Sequence, residues 1–71
     1  MNKDFLRLPG IVKEVLPAGN FRVELGEIKK TITVTAKRRL RGKRLLIEGS
    51  KVIVKISPYD FNRGEIISFS S

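Results

Sequence analysis

Hydrophobic and polar residues alternate with a period of two through most of the chain. Phe21, Arg22, Val23, Glu24 and Leu25 place Phe21, Val23 and Leu25 on one face and Arg22 and Glu24 on the other, the pattern of a strand with one side on a core and the other in water. Residues 31–36 repeat it in β-branched side chains that suit a pleated surface, with Ile32, Val34 and Ala36 inward. Gly26 and Glu27 between them predict a hairpin. Residues 51–56 alternate again, with Val52, Val54 and Ile56 inward, and Ser57-Pro58 ends the run. Upstream, residues 10–16 read as an apolar-rich strand. It stops at Pro17-Ala18-Gly19-Asn20, because proline has no amide to donate and glycine and asparagine accept a positive φ. Residues 60–64 predict a turn and residues 65–69 a last strand.

Five short strands separated by turn signals predict an all-β fold, a small closed or nearly closed antiparallel barrel. Closure removes most of the unpaired edges that so small a sheet would otherwise expose. One polar insertion, residues 37–49, separates the third and fourth strands. Its first half holds good helix formers and breaks at Gly42, which predicts a short helix or an ordered loop. No repeat or linker divides the chain, so residues 1–71 read as a single domain.

Composition changes the picture in two ways. The chain has neither His nor Cys, which removes imidazole bases, thiol nucleophiles, the usual zinc sites and disulfides. Its carboxylates, Asp4, Glu14, Glu24, Glu27, Glu48, Asp60 and Glu65, are scattered over several elements. Glu14 and Glu24 share a face only if the first two strands are neighbours, and there they read as ladder partners of Lys13 or Arg22 and not as an acid/base pair. No glycine fingerprint for phosphates or dinucleotides is present. The expectation is a protein that is not an enzyme and uses no cofactor or metal. No apolar run approaches the roughly 20 residues of a membrane span, and the first residues lack the apolar core of a signal peptide.

The second change is charge. Fifteen Lys and Arg against 7 Asp and Glu give a formal net charge of +8. Lys37, Arg38, Arg39, Arg41, Lys43 and Arg44 put six cations into eight residues without an acid, which leaves the other 63 residues with 9 basic and 7 acidic groups. Cations at this density attract phosphates, release counterions on binding, and in Arg add bidentate geometry and stacking. The competing readings are a solvated face and a basic targeting address. A solvating loop would mix signs, because like charges repel unless a partner neutralises them.

Of the five aromatics, Phe21 and Phe69 read as core, Tyr59 and Phe61 as candidates for contact, and Phe5 has no assigned role. Tyr59, next to Pro58, has a second reading as a plug at one end of the barrel. No tandem aromatic RNA-binding motif is present, so the expected recognition is mainly of phosphate and shape.

Gly10-x-Val12-x-Glu14-x-Leu16-Pro17, Phe21-Arg22-Val23-Glu24-Leu25, the basic insertion, Gly49-x-Lys51-Val52-x-Val54 and Ser57-Pro58-Tyr59-Asp60-Phe61-x-Arg63-Gly64-x-Ile66 follow one another at particular spacings. In order and separation they resemble bacterial-type translation initiation factor 1, over about residues 10–67. The resemblance implies a five-stranded OB-fold barrel related to S1 domains, with a short helix between strands three and four. It implies a monomeric, cytoplasmic RNA-binding factor that occupies the A site of the small ribosomal subunit, contacts rRNA there, blocks premature tRNA entry and acts with the other two initiation factors. Carried over by position, the implied RNA contacts are Arg22, Lys51, Tyr59 and Arg63, with the cluster Lys37, Arg38, Arg39, Arg41, Lys43 and Arg44 taken as a whole. Ser50, Glu65 and the end Ser68-Phe69-Ser70-Ser71 depart from the family pattern, as does the missing histidine. These changes move positive charge from the chain end into the insertion and point to a divergent lineage, a reduced bacterium or a plastid, whose stroma is the alternative location. The alternative function is a generic single-domain RNA chaperone or ribosomal-protein-like module. A third class is an interaction module that uses the basic run only for targeting or for binding acidic proteins.

Overall fold

A computed structural model describes residues 5–36, 40 and 45–70. Strands β1 (Leu6–Leu16), β2 (Asn20–Leu25), β3 (Lys30–Ala36), β4 (Lys51–Ser57) and β5 (Asp60–Phe69) close into a barrel in the order β1-β2-β3-β5-β4, the five-stranded arrangement of an OB-fold. The expected all-β barrel is present, with one difference. Four seams are antiparallel, but β3 and β5 run parallel and pair at Thr35↔Glu65 and Ala36↔Ile66. Parity requires this: strand directions cannot alternate all the way round a ring of five, so one seam must join strands of the same sense. The predicted helix or loop between β3 and β4 falls on residues outside those described, apart from residue 40 and 45–49.

Two strands start earlier than predicted, each because a residue that reads as a breaker does a different job. β1 begins at Leu6 and runs through Pro9 and Gly10. Its first half pairs with β4, from Leu6↔Ile56 to Ile11↔Lys51, and its second half pairs with β2, from Ile11↔Glu24 to Leu16↔Asn20, past a bulge between Val12 and Glu14. Pro9 therefore sits where the strand has a partner on one side only, a place that tolerates a missing donor. A Cβ at Gly10 would meet Val23 Cγ1 at 2.6 Å, and one at Gly64 would meet Val54 Cγ1 at 2.9 Å. Both glycines let strands cross closely over the core. So residues 60–64 are the first half of β5 and not a turn, and the turn itself is Pro58-Tyr59.

The remaining connections match expectation in position. Pro17–Gly19 forms a single 3-10 turn in which Ala18 and Gly19 take φ of 61° and 75° and the Asn20 side-chain amide donates to the Pro17 carbonyl at 3.1 Å. Gly26–Ile28 forms another, closed by Lys29 in the left-handed region.

Val12, Phe21, Val23, Leu25, Ile32, Val34, Val52, Val54, Ile56 and Ile66 fill the barrel, with Leu8, Ile28, Ala36 and Phe69 packed against them. Burial of each such aliphatic side chain is worth about 1.5–3 kcal/mol. Leu40 and Leu46 complete the same cluster. The insertion is thus not simply polar: two of its leucines belong to the core. No charged or polar side chain among the described residues is buried.

Candidate nucleic-acid interface

The residues expected to touch RNA fall into separate places on the barrel. Arg22 stands on the outer face of β2, opposite Glu14 on β1 and Thr33 on β3. Its Nε lies 3.4 Å from Glu14 Oε1, and beside it Lys13 Nζ lies 3.4 Å from Glu24 Oε1, all four side chains about half exposed. The cross-strand ladder expected from the alternation is therefore formed. Each such exposed pair is worth at most about 1 kcal/mol, so a phosphate can compete with Glu14 for the guanidinium but does not meet it free.

Lys51 opens β4 and lines an open cleft of about 490 Å³ together with Pro9, Gly10, Ile11, Glu24, Gly26, Glu27 and Ser70. Two carboxylates in that lining weaken the pull of Lys51 on an anion. β4 alone separates Lys51 from the β4–β5 turn by about 20 Å at the usual strand rise.

Tyr59 and Arg63 share the β4–β5 hairpin. Tyr59 is 90% exposed, which rules out its reading as a plug, and its amide donates to Ser57 Oγ at 3.1 Å. Arg63 Nε approaches Asp60 Oδ2 only to 3.9 Å, and Asp60 Oδ1 accepts the Asn62 amide at 3.0 Å. Phe61, the other contact candidate, is only partly covered. Lys37, Arg38, Arg39, Arg41, Lys43 and Arg44 lie outside the described residues.

The structure does describe what borders that cluster. Leu40 and Leu46 are in the core, whereas Leu45 is 75% exposed. Residues 47–50 then strap onto β1: the Val12 amide donates to the Ser50 carbonyl at 2.9 Å and the Gly49 amide to the Val12 carbonyl at 2.8 Å. Ser50 Oγ accepts the Ile47 amide at 3.1 Å, so the serine found in place of the family's acid has a local hydrogen-bonding role.

One aromatic escaped the sequence reading. Phe5 is 47% exposed, and Lys55 Nζ lies 4.6 Å from its ring centroid. With Ser57, Pro58 and Tyr59 it lines a shallow dish of about 200 Å³. The signal was the alternation of Leu6, Arg7 and Leu8, which extends β1 back to Leu6, next to Phe5, once Pro9 is allowed inside a strand. Among the described residues no cluster of three or more carboxylates has metal-binding geometry, and no helix is long and apolar enough to cross a membrane.

No protein-family model matches the chain. Over 64 residues it is 41% identical to translation initiation factor IF-1 of Azorhizobium caulinodans, covering 90% of this chain and 70% of that protein. The barrel superposes on the solution structure of the translation initiation factor of the same name from the Wolbachia endosymbiont of Brugia malayi with a TM-score of 0.73 and 32% identity, over 97% of this chain and 82% of that one. Fold, spacing and identity agree: the chain belongs to the translation initiation factor IF-1 family of non-enzymatic, RNA-binding OB-fold proteins.

Proposed function

We propose that this chain acts as a monomeric, single-domain factor of the bacterial cytoplasm that binds rRNA at the A site of the small ribosomal subunit. Occupying that site blocks premature tRNA entry, and the chain works there with the other two initiation factors. The basic cluster of residues 37–44 supplies most of the attraction. Arg22, Tyr59 and Arg63 add contacts from the barrel surface, and Lys51 adds charge at its opposite end.

The observation that carries this reading is the imbalance of charge. Six cations stand together in the sequence without an acid, on a barrel whose wall pairs Lys13 and Arg22 with its own carboxylates. Like charge at that density along the sequence is stabilised by phosphates. A surface that occupies RNA needs no proton relay or nucleophile, so the lack of His and Cys takes nothing from it.

Charge reversal of two cluster residues, Arg39→Glu with Arg41→Glu, is expected to abolish binding to purified small subunits while the circular-dichroism spectrum stays that of the parent. Chemical footprinting of the bound subunit should show one defined set of protected A-site nucleotides. Diffuse or absent protection would instead support the RNA-chaperone reading, and retained binding by the double variant would remove the cluster from the interface.

A further inference from the structure

We propose that Phe5, Pro58 and Tyr59 form a stacking subsite for one unpaired RNA base, at the β4–β5 end of the barrel. The proposal rests on the RNA reading above and names the part of the RNA that the barrel's own surface takes.

Pairing of Leu6 with Ile56 brings the residue before β1 against the turn after β4. The resulting dish of about 200 Å³ is lined by Phe5, Ser57, Pro58 and Tyr59. Its surface is almost wholly apolar, yet Tyr59 is 90% exposed, where aromatic side chains usually hide most of their area. The backbone that carries the ring is ordered by the hairpin: the Tyr59 amide is tied to Ser57 Oγ, and Pro58 fixes its own φ at the turn.

The charges around the dish select the occupant. Lys55 Nζ sits over the Phe5 ring, Arg7 lies opposite Lys55 across β1 and β4, and Arg63 on the same hairpin is only loosely held by Asp60 at 3.9 Å. Glu65, opposite Lys55 on β5, is the other carboxylate at this end among the described residues. Aromatic surface with Lys55 on one face of Phe5 and Arg7 and Arg63 on the flanking strands suits a base that stacks while its phosphates meet those cations. An apolar peptide would use the dish but leave the cations unpaired. The base contact adds a term that phosphate and shape recognition lack.

The test uses the full chain and a short single-stranded RNA carrying 2-aminopurine, whose fluorescence falls when the base stacks, alongside the same RNA with an abasic site at that position. Quenching on binding is expected, with weaker binding of the abasic RNA. Tyr59→Ala is expected to weaken the 2-aminopurine RNA by about 5- to 150-fold with the dependence of affinity on salt unchanged, since every phosphate contact stays in place. Tyr59→Phe and Phe5→Tyr should keep the quenching, and Phe5→Leu, which retains bulk but not the ring, should reduce it. Equal affinity for the two RNAs, or undiminished quenching in both Tyr59→Ala and Phe5→Leu, overturns the subsite and leaves the RNA reading standing. Absence of salt-dependent binding to either RNA overturns both.

Discussion

The wall of the barrel and the segment that joins β3 to β4 handle charge in opposite ways. On the β1–β2 face each cation has a carboxylate across the ladder, Lys13 with Glu24 and Arg22 with Glu14, and the strands beneath alternate cleanly into the core. In residues 37–44 six cations have no acid among them, but Leu40, which stands among them, and Leu46, which follows them, are core residues. A folded chain of 71 residues has little stability to spare. It can carry concentrated like charge where the bearing segment is fastened by apolar anchors, while the sheet that does the folding stays nearly neutral.

The sharpest way to break that contrast is to remove an anchor without touching a charge. Leu46→Ala is expected to lower the free energy of unfolding by about 2–4 kcal/mol, as for other buried leucines, measured by urea denaturation. Leu45→Ala, one residue earlier but 75% exposed, should stay within about 0.5 kcal/mol of the parent. Equal effects at the two positions would mean that the segment is not fastened as described.

The same contrast explains what the sequence made legible. Alternation identified the inward faces of β2, β3 and β4 because each of those strands has one wet side and one dry side, and period-two patterning reports that directly. It failed where glycine and proline served packing instead of turning: the predicted β1 began only after Pro9, and Gly64 in β5 was read as part of a turn. It also could not expose the parallel β3–β5 seam, which follows from ring closure and not from any local residue. Leu40 and Leu46 were hidden by the cations around them, because six charges in eight positions dominate any average over the window. For the site, the density of the cluster was readable as composition and the role of Tyr59 as a turn residue. The partner of Arg22 depended on register, which showed Glu14 opposite it, and Phe5 depended on where β1 starts.

A smaller effect sharpens the comparison on the binding side. If the segment supplies most of the attraction and Arg22 only a contested contact, the two regions should differ in salt dependence. Each phosphate that is no longer neutralised reduces the slope of log affinity against log salt by about 0.7 for single strands or 0.9 for duplex. Arg39→Ala with Arg41→Ala is therefore expected to flatten the slope by more than one unit, and Arg22→Ala by less than one. Filter binding across a salt series measures both, and a larger change for Arg22→Ala would place the main contact on the barrel wall.

The smallest expected effect isolates the wall's own restraint. Glu14→Gln keeps the shape of the side chain and removes the charge that faces Arg22 Nε at 3.4 Å. Because the pair is half exposed, stability should change by less than about 0.5 kcal/mol. Affinity for RNA should rise about two- to threefold at low salt, and the gain should fade as ionic strength shortens the screening length towards about 8 Å. Two causes would give the same sign: release of the guanidinium, or removal of a carboxylate that repels phosphate. The Arg22→Ala background separates them. If the gain disappears there, Glu14 acts by holding Arg22 back from the RNA; if it persists undiminished, Glu14 repels the RNA directly and the ladder has no part in tuning the interface.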